Sequence, residues 1–185
     1  MDRRGVLRVG LAGALSLAVT APARATLARA LRLEELVARS QHVVVAEPLD
    51  AYCDYAEIGG RKHIVTFTRV STLELLAGAT PKQDELMVRT LGGRVGKLGE
   101  LVAGEAQLAP GAQGVLFVTP EREVLAVTAM AQGHYPLERD RVGVPHLFRS
   151  PQATDLVGEA DAAVRRLHGL SLGDARALLR AAVKR

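Results

Sequence analysis

Five apolar, β-branched runs, separated by glycine, proline and charged residues, occupy most of the chain between Gln41 and Met130. They are Gln41–Leu49 (QHVVVAEPL), His63–Gly78 (HIVTFTRVSTLELLAG), Asp84–Gly93 (DELMVRTLGG), Gln113–Pro120 (QGVLFVTP) and Glu123–Met130 (EVLAVTAM). Short runs of this type with turn signals between them build a small β-barrel or sandwich, because each is too short for a packed helix and too β-branched to favour one. The run after His63 changes phase: Val65 and Phe67 share one face, Leu73 and Leu75 share another further along, and a bulge between Arg69 and Ser71 accounts for the shift. Asp50–Arg61, polar and containing Gly59-Gly60, reads as a turn or long hairpin loop, and Glu121-Arg122 as a tight turn.

Helical spacing appears only at the ends. Leu27, Leu31, Leu36 and Val37 predict a short helix within Leu27–Ser40. Ser171 with Asp174 forms a capping-box pattern ahead of Leu172, Ala175, Leu178, Leu179, Ala182 and Val183, which predicts a helix over Leu172–Val183. Lys184 and Arg185 suit the dipole at its end. Its apolar face is expected to pack over an open end of the barrel. Ala160–Leu167 is a candidate for one more short helix. The fold class is therefore mainly β, with about five to seven strands, a short N-terminal helix and a C-terminal helix.

The first 25 residues read as an export signal. Arg3-Arg4 is followed by Gly5, Val6, Leu7 and Arg8, then by the uncharged stretch Val9–Ala23, rich in Gly and Ala. That is the pattern of a twin-arginine signal, and it makes the twin-arginine translocase a partner during export and the periplasm or exterior the destination. Ala23-Arg24-Ala25 supplies an A-x-A cleavage triplet before Thr26, and Ala28-Arg29-Ala30 a second before Leu31. The domain is then 26–185, roughly 160 residues, which suits a single core burying about 70% of its unfolded surface. No apolar run is long enough to leave a stable membrane anchor after cleavage.

The chain carries 24 Lys plus Arg and 20 Asp plus Glu, and residues 1–25 hold four of the bases and one of the acids. The remainder is nearly neutral, and with three Phe, three Tyr and no Trp it has little material for stacking nucleobases, so no nucleic-acid partner is expected. Cys53 is the only cysteine, which excludes an intrachain disulfide.

Chemistry-bearing patterns are incomplete. Val88–Glu100, VRTLGGRVGKLGE, has glycines and bases but places Leu91 and Leu98 where a phosphate loop needs Gly and a hydroxyl. None of the five histidines pairs at helical metal spacing, and the carboxylate pairs Glu34-Glu35, Asp84-Glu85 and Glu121/Glu123 read as solvated. No cofactor or metal is expected. The candidate binding residues are Arg89, Arg94 and Lys97 of the glycine block, offering donors to an acidic or carboxylate-bearing partner, beside Gln132, His134 and Tyr135 of AQGHYP. The expected role is a non-enzymatic exported module that binds a protein or envelope ligand through loops. The alternative is a small hydrolase using Cys53 and His63.

Ala38-Arg39-Ser40, Val43–Val45, Val65–Gly78, Val88–Glu105, Val115–Val118 and Ala131–Pro136 together resemble a group of uncharacterised exported bacterial proteins sharing a VRTLGGxVG and AQGxxP pattern. The order of strands, with the turn after LELLAG, is also similar to netrin-like modules and tissue inhibitors of metalloproteinases. That similarity implies an OB-like five-stranded barrel and protease inhibition, although the N-terminal cysteine those inhibitors use is missing at Thr26 and Leu31.

Overall fold

The computed structural model describes residues 28–154 and 156–183. Its strands are β1 (Ala28–Arg29), β2 (His42–Ile58), β3 (Arg61–Gly78), β4 (Glu85–Leu91), β5 (Gly93–Val95), β6 (Leu98–Glu100), β7 (Gly114–Glu121), β8 (Val124–Val127), β9 (His134–Arg139), β10 (Pro145–Leu147) and β11 (Leu156–Val157). The helices are α1 (Leu33–Arg39), α2 (Ala163–Leu167) and α3 (Leu172–Val183). The signal residues Arg3, Arg4, Ala23 and Ala25, and the terminal bases Lys184 and Arg185, lie outside the described residues.

Five strands pair in a ring. β2 lies between β7 and β3, β3 pairs with β4, β4 runs parallel to β8, and β8 returns antiparallel to β7. Closure removes the exposed edges that an open sheet of this size would carry. β9 and β10 extend the sheet from β7.

The apolar run of β2 has no polar face because both of its faces are covered. Val44 and Ala46 join Val70, Val88, Leu116, Val118 and Val127, a cluster drawn from all five ring strands and therefore the barrel interior. Val43 and Val45 turn the other way and join Val115, Phe117 and Leu76 under the three helices. Leu33 and Leu36 of α1, Leu167 of α2, and Ala175 and Leu179 of α3 complete this outer core. α3 thus packs on the outside of the barrel, not over its end, because β2, β3 and β7 present a second apolar surface, which the helices and the segment Ala30–Leu31 cover. The segment between β6 and β7 covers the interior instead, with Ala106 and Leu108 on the barrel cluster.

Local signals hold with adjustments. Ser171 Oγ accepts from the Asp174 amide at 3.1 Å and donates to the Asp174 carboxylate at 2.6 Å, so this pair does start α3. Asp50–Arg61 is not a loop: β2 and β3 stay paired out to Ile58 and Arg61, with Gly59-Gly60 as a two-residue turn. One irregularity does fall at Arg69–Val70, with the extra residue, Leu49, on β2, and two more follow further along β3. The register skips Leu76, Leu73 and Leu49; Leu76 is buried, whereas Leu73 and Leu49 are exposed. The β7–β8 turn is Arg122-Glu123, since Glu121 pairs with Val124.

Candidate functional site

The glycine block is a folded hairpin. β5 and β6 pair from Gly93–Glu100 to Val95–Leu98, leaving Gly96-Lys97 as the turn, and the hairpin lies against the outer half of β2 and β3. Its seat needs glycine. A Cβ on Gly93 would stand 2.6 Å from Thr66 Oγ1 and 2.7 Å from Cys53 Sγ, and the residue has φ +130°. Around it, the Thr66 hydroxyl donates to Gly92 O at 2.8 Å and the Arg94 amide donates to Cys53 Sγ at 3.4 Å.

Cys53 and His63 do not form a catalytic pair. Cys53 faces Thr66, whereas His63 pairs across the hairpin with Ala56, three residues further along β2 and therefore on the other face. The His63 ring meets Glu100 at 2.7 Å, and this bond holds the Glu100 carboxyl below its ordinary value. Among the described residues no group of three or more His, Cys, Asp and Glu is placed to hold a metal ion.

The candidate binding residues separate. Arg94 and Lys97 are exposed on the β5–β6 hairpin, with Arg94 Nε donating to Gly96 O. Gln132, His134 and Tyr135 are buried and offer no donors at the surface. Gln132 is a clamp: its Oε1 accepts from the Leu31 amide at 2.8 Å and its Nε2 donates to Arg29 O at 3.1 Å. His134 and Tyr135 belong to β9, where burial lowers the His134 pKa to about 4 and pushes the Tyr135 phenol up.

A non-local pairing fixes the AQG segment between two strands. β8 and β9 pair with successive parts of the same edge of β7, and Thr128–Gly133 loops out opposite Phe117 between them. Ala129 and Met130 take positive φ there, and a Cβ on Gly133 would stand 2.3 Å from Thr128 O. The motif is needed to make this excursion.

Arg89 goes inward. Its guanidinium pairs with Glu121 across β8 and its side chain is 8% exposed. With Glu105, Ile58 and Met130 these two residues line a cavity of about 170 Å³, and Glu105 also borders a neighbouring cavity of about 300 Å³ under Gly92 and Gly93. Burial raises the Glu105 pKa above its ordinary value, although its carboxylate accepts from the Ala106 amide at 3.1 Å. One cation thus faces two carboxylates. Glu105 was not apparent as a site residue. The available signal was a lone acid among Val102, Ala103, Gly104 and Ala106. The acids that read as solvated are also paired: Glu34 with Arg166, Glu85 with Arg69, and Glu121 with Arg89.

What remains accessible is the far half of β2 and β3. β7 stops pairing with β2 at Ala46, so Asp50–Ile58 forms an arm beyond the ring with one free edge. On it Tyr52 stacks on Phe67 at 5.2 Å between centroids, and Lys62 Nζ lies 4.1 Å above the Tyr55 ring. Tyr52 is 56% exposed, and Leu98 and Leu101 beside the arm are 63% and 86% exposed.

Comparison with protein families, with curated proteins and with solved structures finds no match for the chain.

If Arg94 and Lys97 only decorate the hairpin, replacing both by Ala changes stability by no more than about 0.5 kcal/mol. Gly93→Val costs more, because a β-branched side chain is driven into Cys53 and Thr66 at a φ it rarely adopts. Urea denaturation of both variants gives the comparison, and equal small losses contradict this account of the glycine block.

Proposed function

We propose that this chain is an exported, non-enzymatic OB-type barrel module that binds a protein or envelope ligand through the β2–β3 arm and the β5–β6 hairpin. The OB reading is supported by the ring order, in which the first ring strand, β2, pairs with the second and fourth, and the third and fifth, β4 and β8, run parallel. Barrels of that type bind ligands on the second and third strands and adjoining loops, which here are β3, β4 and the arm. The export reading rests on the twin-arginine pattern and the triplet at Ala23–Ala25.

The observation that carries the binding reading is the exposure of large apolar side chains on the arm and the hairpin, Tyr52 on β2, Leu98 on β6 and Leu101 just after it. Exposed apolar surface of this kind is stabilised when a partner covers it. Arg94 and Lys97, exposed on the same hairpin as Leu98, favour an acidic partner. Tagged mature protein is expected to retain a partner after mild cross-linking in its native host, and Tyr52→Ser with Leu98→Ser to lose it while keeping a single cooperative urea transition. Retention by the double variant, or no retained partner for either form, contradicts the assignment.

A further inference from the structure

We propose that the exported chain is processed only at the Ala25–Thr26 bond, because folding withdraws the second A-x-A triplet, Ala28–Ala30, from a signal peptidase. The inference rests on the export reading above. Water adds across the Ala25–Thr26 peptide bond, leaving a carboxylate on Ala25 of the leader and an ammonium group on Thr26 of the mature chain. Such a peptidase takes its substrate as an extended segment, with the small residues flanking the scissile bond in its pockets, so backbone bonding and burial decide which triplet it can reach.

The second triplet is held on every side. Ala28 and Arg29 pair parallel with Leu156 and Val157, and the Ala30 amide donates to Val157 O at 2.9 Å. Gln132 takes both neighbouring backbone groups: Arg29 O accepts from its side-chain amide, and the Leu31 amide donates to its oxygen. Leu31 O accepts from the Ala163 amide at 2.8 Å. Ala30 and Leu31, on the two sides of the second candidate bond, are 5% and 4% exposed and belong to the core beneath the helices. Cutting there requires β1, the clamp and part of that core to open together, whereas the Ala25–Thr26 bond precedes β1 in the chain. The order of events makes this decisive, because a twin-arginine substrate is folded before the peptidase meets it.

Intact mass and N-terminal sequencing of the exported chain are expected to give Thr26 as the first residue. A chain beginning at Leu31 overturns the inference and leaves export standing. A wild-type chain that is neither exported nor shortened, indistinguishable from its Arg3→Lys/Arg4→Lys variant, removes the export reading and this inference with it. Ala25→Leu, which spoils the first triplet, is expected to leave uncut precursor. Its rapid conversion to a Leu31 chain contradicts the withdrawal. Adding Gln132→Ala to Ala25→Leu opens the clamp and is expected to raise the fraction beginning at Leu31 about tenfold. No rise means that sequence, not the fold, protects the second triplet, and the physical basis fails.

Discussion

Phe117→Ala is expected to lower the unfolding free energy by about 3–5 kcal/mol, the range for truncating a fully buried aromatic residue. The loss falls at the upper end because of where β7 stands. Phe117 is 0% exposed, packs against Tyr135 at 5.8 Å between ring centroids, and lies in the core that joins β2 and β7 to all three helices. Its carbonyl accepts from the Thr128 amide at 2.8 Å, so the strand also supports the excursion between β8 and β9. Few neighbours can collapse into the space, since the strand's other face is filled by Leu116 and Val118 inside the barrel. Urea denaturation measures it. A loss below about 1 kcal/mol means that the helices do not depend on this strand.

The second large effect is a dependence on pH. The His134 pKa in the folded protein is about 4 against 6.5 ordinarily, so the unfolded chain binds a proton that the folded chain refuses as pH falls between those values. Its contribution is present above pH 6.5 and lost on the way down, about 3 kcal/mol over the window. Glu105 has the opposite sign. Its carboxyl is raised above 4.5 by burial, so its contribution is present below that value and lost as pH rises through the folded value. His134→Asn is expected to flatten the acid side of the stability profile, and Glu105→Gln to raise stability on the neutral side. Thermal unfolding from pH 4 to 8 measures both, and wild-type and His134→Asn profiles of the same shape contradict the buried neutral imidazole.

How far the sequence could be read depended on whether the deciding contact was local. The VVVA run of β2 and the GVLFV run of β7 carry no polar alternation, which implies a cover on both faces, and the two cores supply it. The capping box of α3 was legible because its partners are three residues apart. The position of α3 was not, although the unbroken run of β2 already called for a helical layer outside the barrel. Arg89 read as a surface base beside Gly92 and Gly93. The parallel pairing of β4 with β8, which is itself paired with β7, brings it to Glu121. Gln132, His134 and Tyr135 read as loop donors because nothing near them in sequence announces β7, the strand that takes His134 and Tyr135 as a pairing partner. Gln132 serves the backbone of residues about a hundred positions away, which no local pattern encodes.

The central claim, binding through the arm and hairpin of an exported barrel, is tested most directly by a photo-cross-linking residue placed at Tyr52, at Leu98 or at Val183 in native cells. Val183 is the control, as exposed as Tyr52 but at the end of α3. The account predicts one cross-linked species of higher mass from Tyr52 and Leu98 and none from Val183. The same species from all three positions, or cross-links from Val183 alone, contradicts it.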